Sequence, residues 1–228
     1  MTSPKSQPRS PALTAPVEDY LKVIFELEAA AGAASTNDIA AELGIAPASV
    51  SGMVRRLAEQ GLIAHQRYRG VRLTNAGRRA ALRTIRRHRV IEAYLTTALR
   101  YPWDRVHEEA ERLEHAASDE LIDRMAEAIG EPATDPHGAP IPARDGSFSE
   151  RELSVLDDVE VGARVSIQRV GDRDADQLRY LAEIGIIPGR RVEVLARAPF
   201  GGPISLRVGK SVRSIGPALA KQILVAAV

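Results

Sequence analysis

Residues 105–115, RVHEEAERLEH, carry His107, Glu111, Glu114 and His115 at relative positions 0, 4, 7 and 8. A helix turns about 100° per residue, so these four side chains share one stripe roughly 100° wide. An ordinary soluble helix fills such a stripe with leucine and alanine. Upstream, RHRVIE sets His88 and Glu92 one helical turn apart. Three of the chain's five histidines therefore fall on two successive predicted helices. Brought face to face, six such groups lose hydration worth several kcal/mol each unless something compensates. A divalent cation is the direct compensation. The 228 residues contain no cysteine, so disulfides and thiolate sites are excluded and the ligands must be oxygen and nitrogen. That set suits Mn(II), Fe(II), Co(II) or Zn(II), and the excess of carboxylates tilts it towards manganese. His65 and His137 stand apart in the sequence and are given no ligand role.

The elements that must position these groups are legible from periodicity and punctuation. VEDYLKVIFELEAAAG repeats apolar residues at helical spacing and stops at Gly32. STNDIAAELGI offers Ser35 and Thr36 as N-caps, and PASVSGMVRRLAEQGL starts a third helix at Pro47 with Val50, Val54 and Leu57 on one face. Helix, helix, turn, helix is the helix-turn-helix pattern. Two short apolar stretches flank the tip Arg67-Tyr68-Arg69-Gly70 and predict a hairpin, or wing. Thr74 or Asn75 then caps a long helix, the helix of the polar stripe follows RYPWD, and a third opens on Ser118 and ends at Gly130. A proline-rich loop, PATDPHGAPIPARD, leads into short Val- and Ile-rich segments separated by Gly and Pro around one small helix. The fold class expected is mainly α with a small β domain: a disordered tail over 1–15, a winged helix-turn-helix over 16–80, a helical metal-binding domain over 81–147, and an SH3-like β-barrel over 148–228.

Charge supplies a second chemistry. The 31 basic and 30 acidic residues nearly cancel, yet Arg55 to Arg89 holds eleven arginines and one acid, Glu59, while Asp104 to Glu131 holds ten acids and three arginines. A polyanion is the natural partner of the first block and a cation that of the second. On the third helix and the wing, Pro47, Ala48, Ser49, Ser51, Arg55, Arg56, Arg67, Tyr68 and Arg69 are the candidate DNA contacts, since phosphate binding needs clustered cations beside an element that enters a groove. No apolar run approaches the roughly 20 residues that span a bilayer, and the N-terminal stretch lacks the apolar core of a signal peptide. The expectation is a cytoplasmic protein with no membrane partner.

In order and spacing, the segments EDYLKVIFELE, APASVSGMVRRLAEQGLI, YRGVRLTNAGR, RRHRVIEAYL, RVHEEAERLEHAASDE and DPHGAPIP resemble the DtxR/MntR family of metal-dependent transcriptional repressors. LAEIGIIPGRRVEVL resembles the family's SH3-like, FeoA-type domain. The resemblance implies a primary metal site on Asp19, Glu111, Glu114 and His115, and an ancillary site on His88, Glu92 and His107 completed by Asp174 and Gln177. Iron-responsive members resemble this chain but carry Met and Cys where Asp19 and Glu111 stand. Exchange of soft sulfur for hard oxygen at both positions favours Mn(II). Lys22 takes a place where some two-metal manganese members have Glu, which argues for a primary site plus a separate ancillary one.

The function expected is a Mn(II)-activated repressor that binds a palindromic operator as a homodimer and governs manganese uptake, with no catalytic residues and no small-molecule substrate. Fe(II) is the alternative metal, and Co(II), Zn(II) or Cd(II) are expected to substitute in vitro. Two rivals of other classes are a di-metal carboxylate enzyme, which predicts turnover, and a metal-independent winged-helix regulator, which predicts DNA binding untouched by chelator.

Overall fold

The computed structural model describes residues 13–66, 70–149 and 151–228, with the side chains of 65 and 66 left aside. It divides into two units, one ending at Thr84 and the other beginning at Ile85. Most of the tail expected over 1–15, and the wing tip at Arg67, Tyr68 and Arg69, lie outside the described residues.

In the first unit, α1 (Ala15–Ala31) starts on the last residue of the expected tail, with proline in its first turn. It buries Val17, Leu21, Ile24 and Phe25, and ends where Gly32 adopts φ 77° and returns its N–H to the Glu28 carbonyl, the left-handed stop that glycine allows at least strain. α2 (Thr36–Leu43) is capped by the Ser35 hydroxyl, which accepts from the Asp38 N–H. α3 (Pro47–Glu59) buries Val50, Val54 and Leu57. The helices pack in sequence, and α3 rests against β1 (Ile63–Gln66), which pairs antiparallel with β2 (Gly70–Leu73). Burial of three large aliphatic side chains on so short a helix holds it in place; truncating Leu57, fully buried, costs about 2–5 kcal/mol.

α4 (Asn75–Leu99) begins with Thr74, whose hydroxyl accepts from the Gly77 N–H. It crosses the boundary between the units and carries His88 and Glu92 in the second. There α5 (Val106–Leu113) and α6 (Asp119–Ala128) share with α4 a core of Val90, Ile91, Leu95, Val106, Ala110, Ile122 and Ala126. Beyond the proline-rich loop comes a six-stranded antiparallel sheet: β3 (Ser154–Val155), β4 (Arg164–Val170), β5 (Arg191–Arg197), β6 (Ile204–Val208), β7 (Ser211–Ile215) and β8 (Ile223–Ala227), in the order β3-β8-β4-β5-β6-β7. The expected barrel is an open one, because its ladder ends at the two-residue β3 on one side and at β7 on the other. α7 (Ala175–Glu183) covers the core with Leu178 and Leu181, and α8 (Pro217–Ala220) precedes the last strand. Residues 134–140 fold as a tight loop bridged from Thr134 to Pro140.

Candidate metal centre

α5 is shorter than the polar stripe implies: it ends at Leu113, and Glu114 and His115 sit in the turn that follows. Glu114 keeps helical angles and donates its N–H to the Ala110 carbonyl, so its side chain still points as the stripe requires. Ala110, fully buried, adds little bulk where α5 meets the core it shares with α4. The polar faces of the two helices consequently meet. His88 Nδ1 lies 2.6 Å from Glu114 Oε2 and 3.8 Å from Glu111 Oε1. Its other nitrogen, Nε2, lies 3.2 Å from Glu92 Oε1 and 3.1 Å from His107 Nδ1. One imidazole thus stands between an acid pair on one side and an acid and imidazole pair on the other. His115 Nε2 is 3.4 Å from Glu114 Oε1. Asp19, the remaining member of the expected primary set, is half-buried on α1 in the first unit.

The sheet domain and the proline loop contribute groups that sequence reasoning did not assign. Asp172 Oδ2 lies 3.9 Å from His107 Nδ1, and His137, fully buried, turns Nδ1 to 3.7 Å from Glu92 Oε1. Glu92, His137 and Asp172 each offer one ligand atom within 4.8 Å of the others, as do His88, Glu92 and His107, and His88, Glu111 and Glu114. Asp174 is placed differently: Oδ1 accepts from the N–H groups of Asp176 and Gln177, and Oδ2 accepts from the Gln177 amide. Those bonds make Asp174 the N-cap of α7 and hold its carboxyl below the usual range, the Gln177 N–H contributing most.

The loop owes its position to Asp135 and Gly138. Asp135 Oδ1 accepts from the His137 and Ala139 N–H groups, a side-chain turn that fixes the DPHGA segment. Gly138 has φ 92°, and a Cβ there would fall 1.9 Å from the Gln168 carbonyl oxygen of β4, so only glycine permits the approach. The Val170 N–H then donates to the His137 carbonyl. From α4, Arg86 donates to the Pro142 carbonyl and Arg89 to that of Pro140. The signal in the sequence was an Asp and a His two residues apart inside a glycine-bearing turn, which proximity along the chain does not tie to Glu92.

The acids and imidazoles of this cluster set one another's protonation. Burial would raise the Glu92 carboxyl, but His107, His137 and His88 around it hold it well below the ordinary carboxylate range. Burial would lower His137, yet Glu92, Asp135 and Asp172 push it up to about 9. His107 is raised in the same way, against its own burial, by Glu92 and Asp172. Asp135 is pushed up to about 6, chiefly by burial and then by the Glu92 charge. Glu92 Oε2, Asp135 Oδ2 and His137 Nδ1 are buried without a hydrogen bond. Each unmet polar atom costs about 1–3 kcal/mol. The unpaired Glu92 oxygen and His137 nitrogen, grouped with the Asp172 carboxylate, are oxygen and nitrogen donors that would suit a hard divalent cation.

The basic block resolves into two populations. On α3, Pro47, Ala48, Ser49, Ser51, Arg55 and Arg56 are all exposed, opposite the buried Val50, Val54 and Leu57. Arg86, Arg87 and Arg89 instead turn inward from α4 and pair with Asp123, Asp119 and Asp135. Part of the arginine excess therefore meets the acidic block within the chain, and the exposed cations among the described residues are fewer than the sequence count implies. No helix among the described residues is long and apolar enough to cross a membrane.

Three family models match in chain order: "Iron dependent repressor, N-terminal DNA binding domain" over residues 12–71, "Iron dependent repressor, metal binding and dimerisation domain" over 74–143, and "FeoA domain" over 155–227. The iron-dependent repressor IdeR of Mycobacterium leprae (strain TN) is 31% identical over 205 residues, 84% of this chain and 88% of that protein. A solved manganese-dependent transcriptional repressor in complex with manganese is 40% identical, with a TM-score of 0.86 over 93% of this chain and all of that one. The structure of ScaR with bound Zn2+ is 30% identical, with a TM-score of 0.81 over 93% of this chain and 99% of that one. With its reading helix, polar stripe and sheet domain in the order those relatives share, the chain belongs to the DtxR/MntR family of metal-dependent, DNA-binding transcriptional repressors, which are not enzymes.

Proposed function

We propose that the chain is a manganese-responsive repressor: Mn(II) switches a homodimer to the form that binds a palindromic operator and turns down manganese uptake, in the cytoplasm where the DNA lies. The observation that carries this reading is the donor set. Every group in the cluster is a carboxylate or an imidazole, five of the first to four of the second, and none is a sulfur ligand. The likeness to a manganese-bound repressor points the same way.

In this reading the primary ion is held by Asp19 with Glu111, Glu114 and His115, and the ancillary ion by His88, Glu92 and His107, assisted by Asp172 and His137. Asp174 and Gln177, the sheet-domain pair that the family resemblance suggests, are the competing assignment. Because Asp19 belongs to the reading head and the other primary ligands to the dimerisation region, one ion sets the orientation of the heads. Two heads must present α3 to successive major grooves about 34 Å apart. A metal that favours that arrangement by about 3 kcal/mol changes operator affinity on the order of 100-fold. Ser49, Ser51, Arg55 and Arg56, with Pro47 and Ala48 at the helix start, form the reading face, and Arg67, Tyr68 and Arg69 extend it as a wing.

The test is fluorescence anisotropy with DNA selected from a random pool by the loaded protein, at matched free Mn(II) and Fe(II). Tighter binding with Mn(II) is expected; affinity indifferent to both metals and to chelator overturns the reading. Fe(II) is the second reading, favoured by the likeness to an iron-dependent repressor over most of the chain. Asp19→Met with Glu111→Cys is expected to move activation towards Fe(II) or Co(II), and an unaltered preference counts against hard-oxygen selection.

A further inference from the structure

Trp103, the chain's single tryptophan, lies in the connection between α4 and α5 and touches two different parts of the second unit. Its indole stacks on the His137 imidazole, with ring centroids 5.5 Å apart and planes 28° from parallel, and it also packs against the sheet core. Its backbone carbonyl lies 2.7 Å from His137 Nε2. A carbonyl oxygen only accepts, so Nε2 carries a proton, and Nδ1 is the nitrogen with a lone pair to give once the ring is neutral. Nδ1 is the atom that is buried without a hydrogen bond and faces Glu92. A ring flip would set carbon against the Trp103 carbonyl and point an N–H bond away from it, losing a hydrogen bond inside a closed loop. Next door, Asp104 and Arg179 of α7 are joined by an ion pair of 3.0 Å, which ties the same connection to the sheet domain.

Resting on the metal-dependent reading above, we propose that Trp103 is the positioning residue of the Glu92, His137 and Asp172 pocket: its carbonyl holds the His137 Nε2–H so that Nδ1 faces the cation, and its indole, wedged between imidazole and sheet core, keeps the ring at that angle. Groups that orient a metal-binding histidine change metal affinity by about 10–100-fold. The carbonyl survives any substitution of residue 103, so the indole's share is separable from it. Trp103→Ala removes the plate, and Trp103→Phe restores an aromatic one.

The experiment uses the full chain labelled with 15N at histidine and loaded with 113Cd(II), a diamagnetic probe, read by long-range proton–nitrogen correlation. Cadmium coupling to Nδ1 of His137 with the proton retained on Nε2 is expected. Trp103→Ala should weaken cadmium at His137 about tenfold or more, leave cadmium at His115 unchanged, and be rescued by Trp103→Phe. Coupling through Nε2, cadmium at His107 or His115 but none at His137, or equal affinity in a folded Trp103→Ala chain overturns the positioning role alone. No cadmium at any histidine overturns the metal-dependent reading itself. Should Trp103→Ala fail to fold, the nitrogen to which cadmium couples in the unaltered chain decides.

Discussion

The two units treat charge in opposite ways. In the first, every charged side chain described is at least partly in water, and the buried residues of α1, α2 and α3 are apolar. In the second, Arg87, His88, Arg89, Glu92, Glu114, Asp123, Asp135 and His137 are all buried. A DNA-reading surface needs cations that water can leave and phosphate can replace, so exposure is its working condition. Buried charges need fixed partners, because each costs several kcal/mol to dehydrate. The arginines of the second unit have theirs in Asp119, Asp123 and Asp135. The carboxylate and imidazole cluster is satisfied only in part, which is what the proposed uptake of a cation would change.

The largest effect that would break this contrast is expected on removing Glu92. Glu92→Ala leaves His88, His107 and His137 facing one another, and thermal unfolding of the metal-free chain should register a loss of about 3 kcal/mol that Mn(II) does not restore. A chain as stable as before would mean that the cluster is an ordinary satisfied core. Next comes pH. His137 is pushed up to about 9 from about 6.5 in an unfolded chain, so the stability it lends the metal-free protein is fully present below about pH 6.5 and is lost as pH rises through about 9. Manganese must displace that proton, so its affinity for this pocket should climb between pH 7 and 9 by up to about tenfold per unit. Isothermal titration in buffers of different ionisation enthalpy reads the released proton, and a flat profile would remove His137 from the ligand set.

The exposed side of the comparison is sharpened by Arg55→Ala and Arg56→Ala. Each should weaken DNA binding roughly tenfold and reduce the salt dependence by about one phosphate contact, while the melting temperature stays put, as surface substitutions usually leave stability within about 0.5 kcal/mol. A drop in melting temperature without a change in salt slope would make these residues structural. The smallest effect separates two acids of one loop. Asp174→Ala should lower the melting temperature slightly as a lost helix cap and leave metal affinity alone, whereas Asp172→Ala should weaken metal binding. The reverse pattern, by metal titration, would return the sheet domain's contribution to Asp174.

How much of this was legible in the sequence depends on whether the cause was local. Ser35, Ser118 and Thr74 announce helix starts because capping acts over two or three residues, and Gly32 announces a stop for the same reason. The facing of His88, Glu92 and His107 follows from turn spacing on two neighbouring helices. Asp172 and Asp174 look alike in the sequence, and only the fold shows that one faces His107 while the other closes the end of α7. His137 looks solitary because the glycine contact that seats its loop on β4 joins segments some thirty residues apart. Arg87 and Arg89 count as part of a basic block in the sequence, yet α4 turns them inward, a fact carried by which side of a helix is covered and not by composition.

The imidazole of His88, reached from one edge by Glu114 and from the other by Glu92 and His107, has a consequence for dosage. A single ring standing between two groups of acids would make any cations bound at its two edges interdependent: filling one would alter the basicity of the nitrogen offered to the other, and by thermodynamic reciprocity the influence would run both ways. The intracellular concentration at which such a protein commits would then be a property of the pair, adjustable by changes at either edge of one side chain.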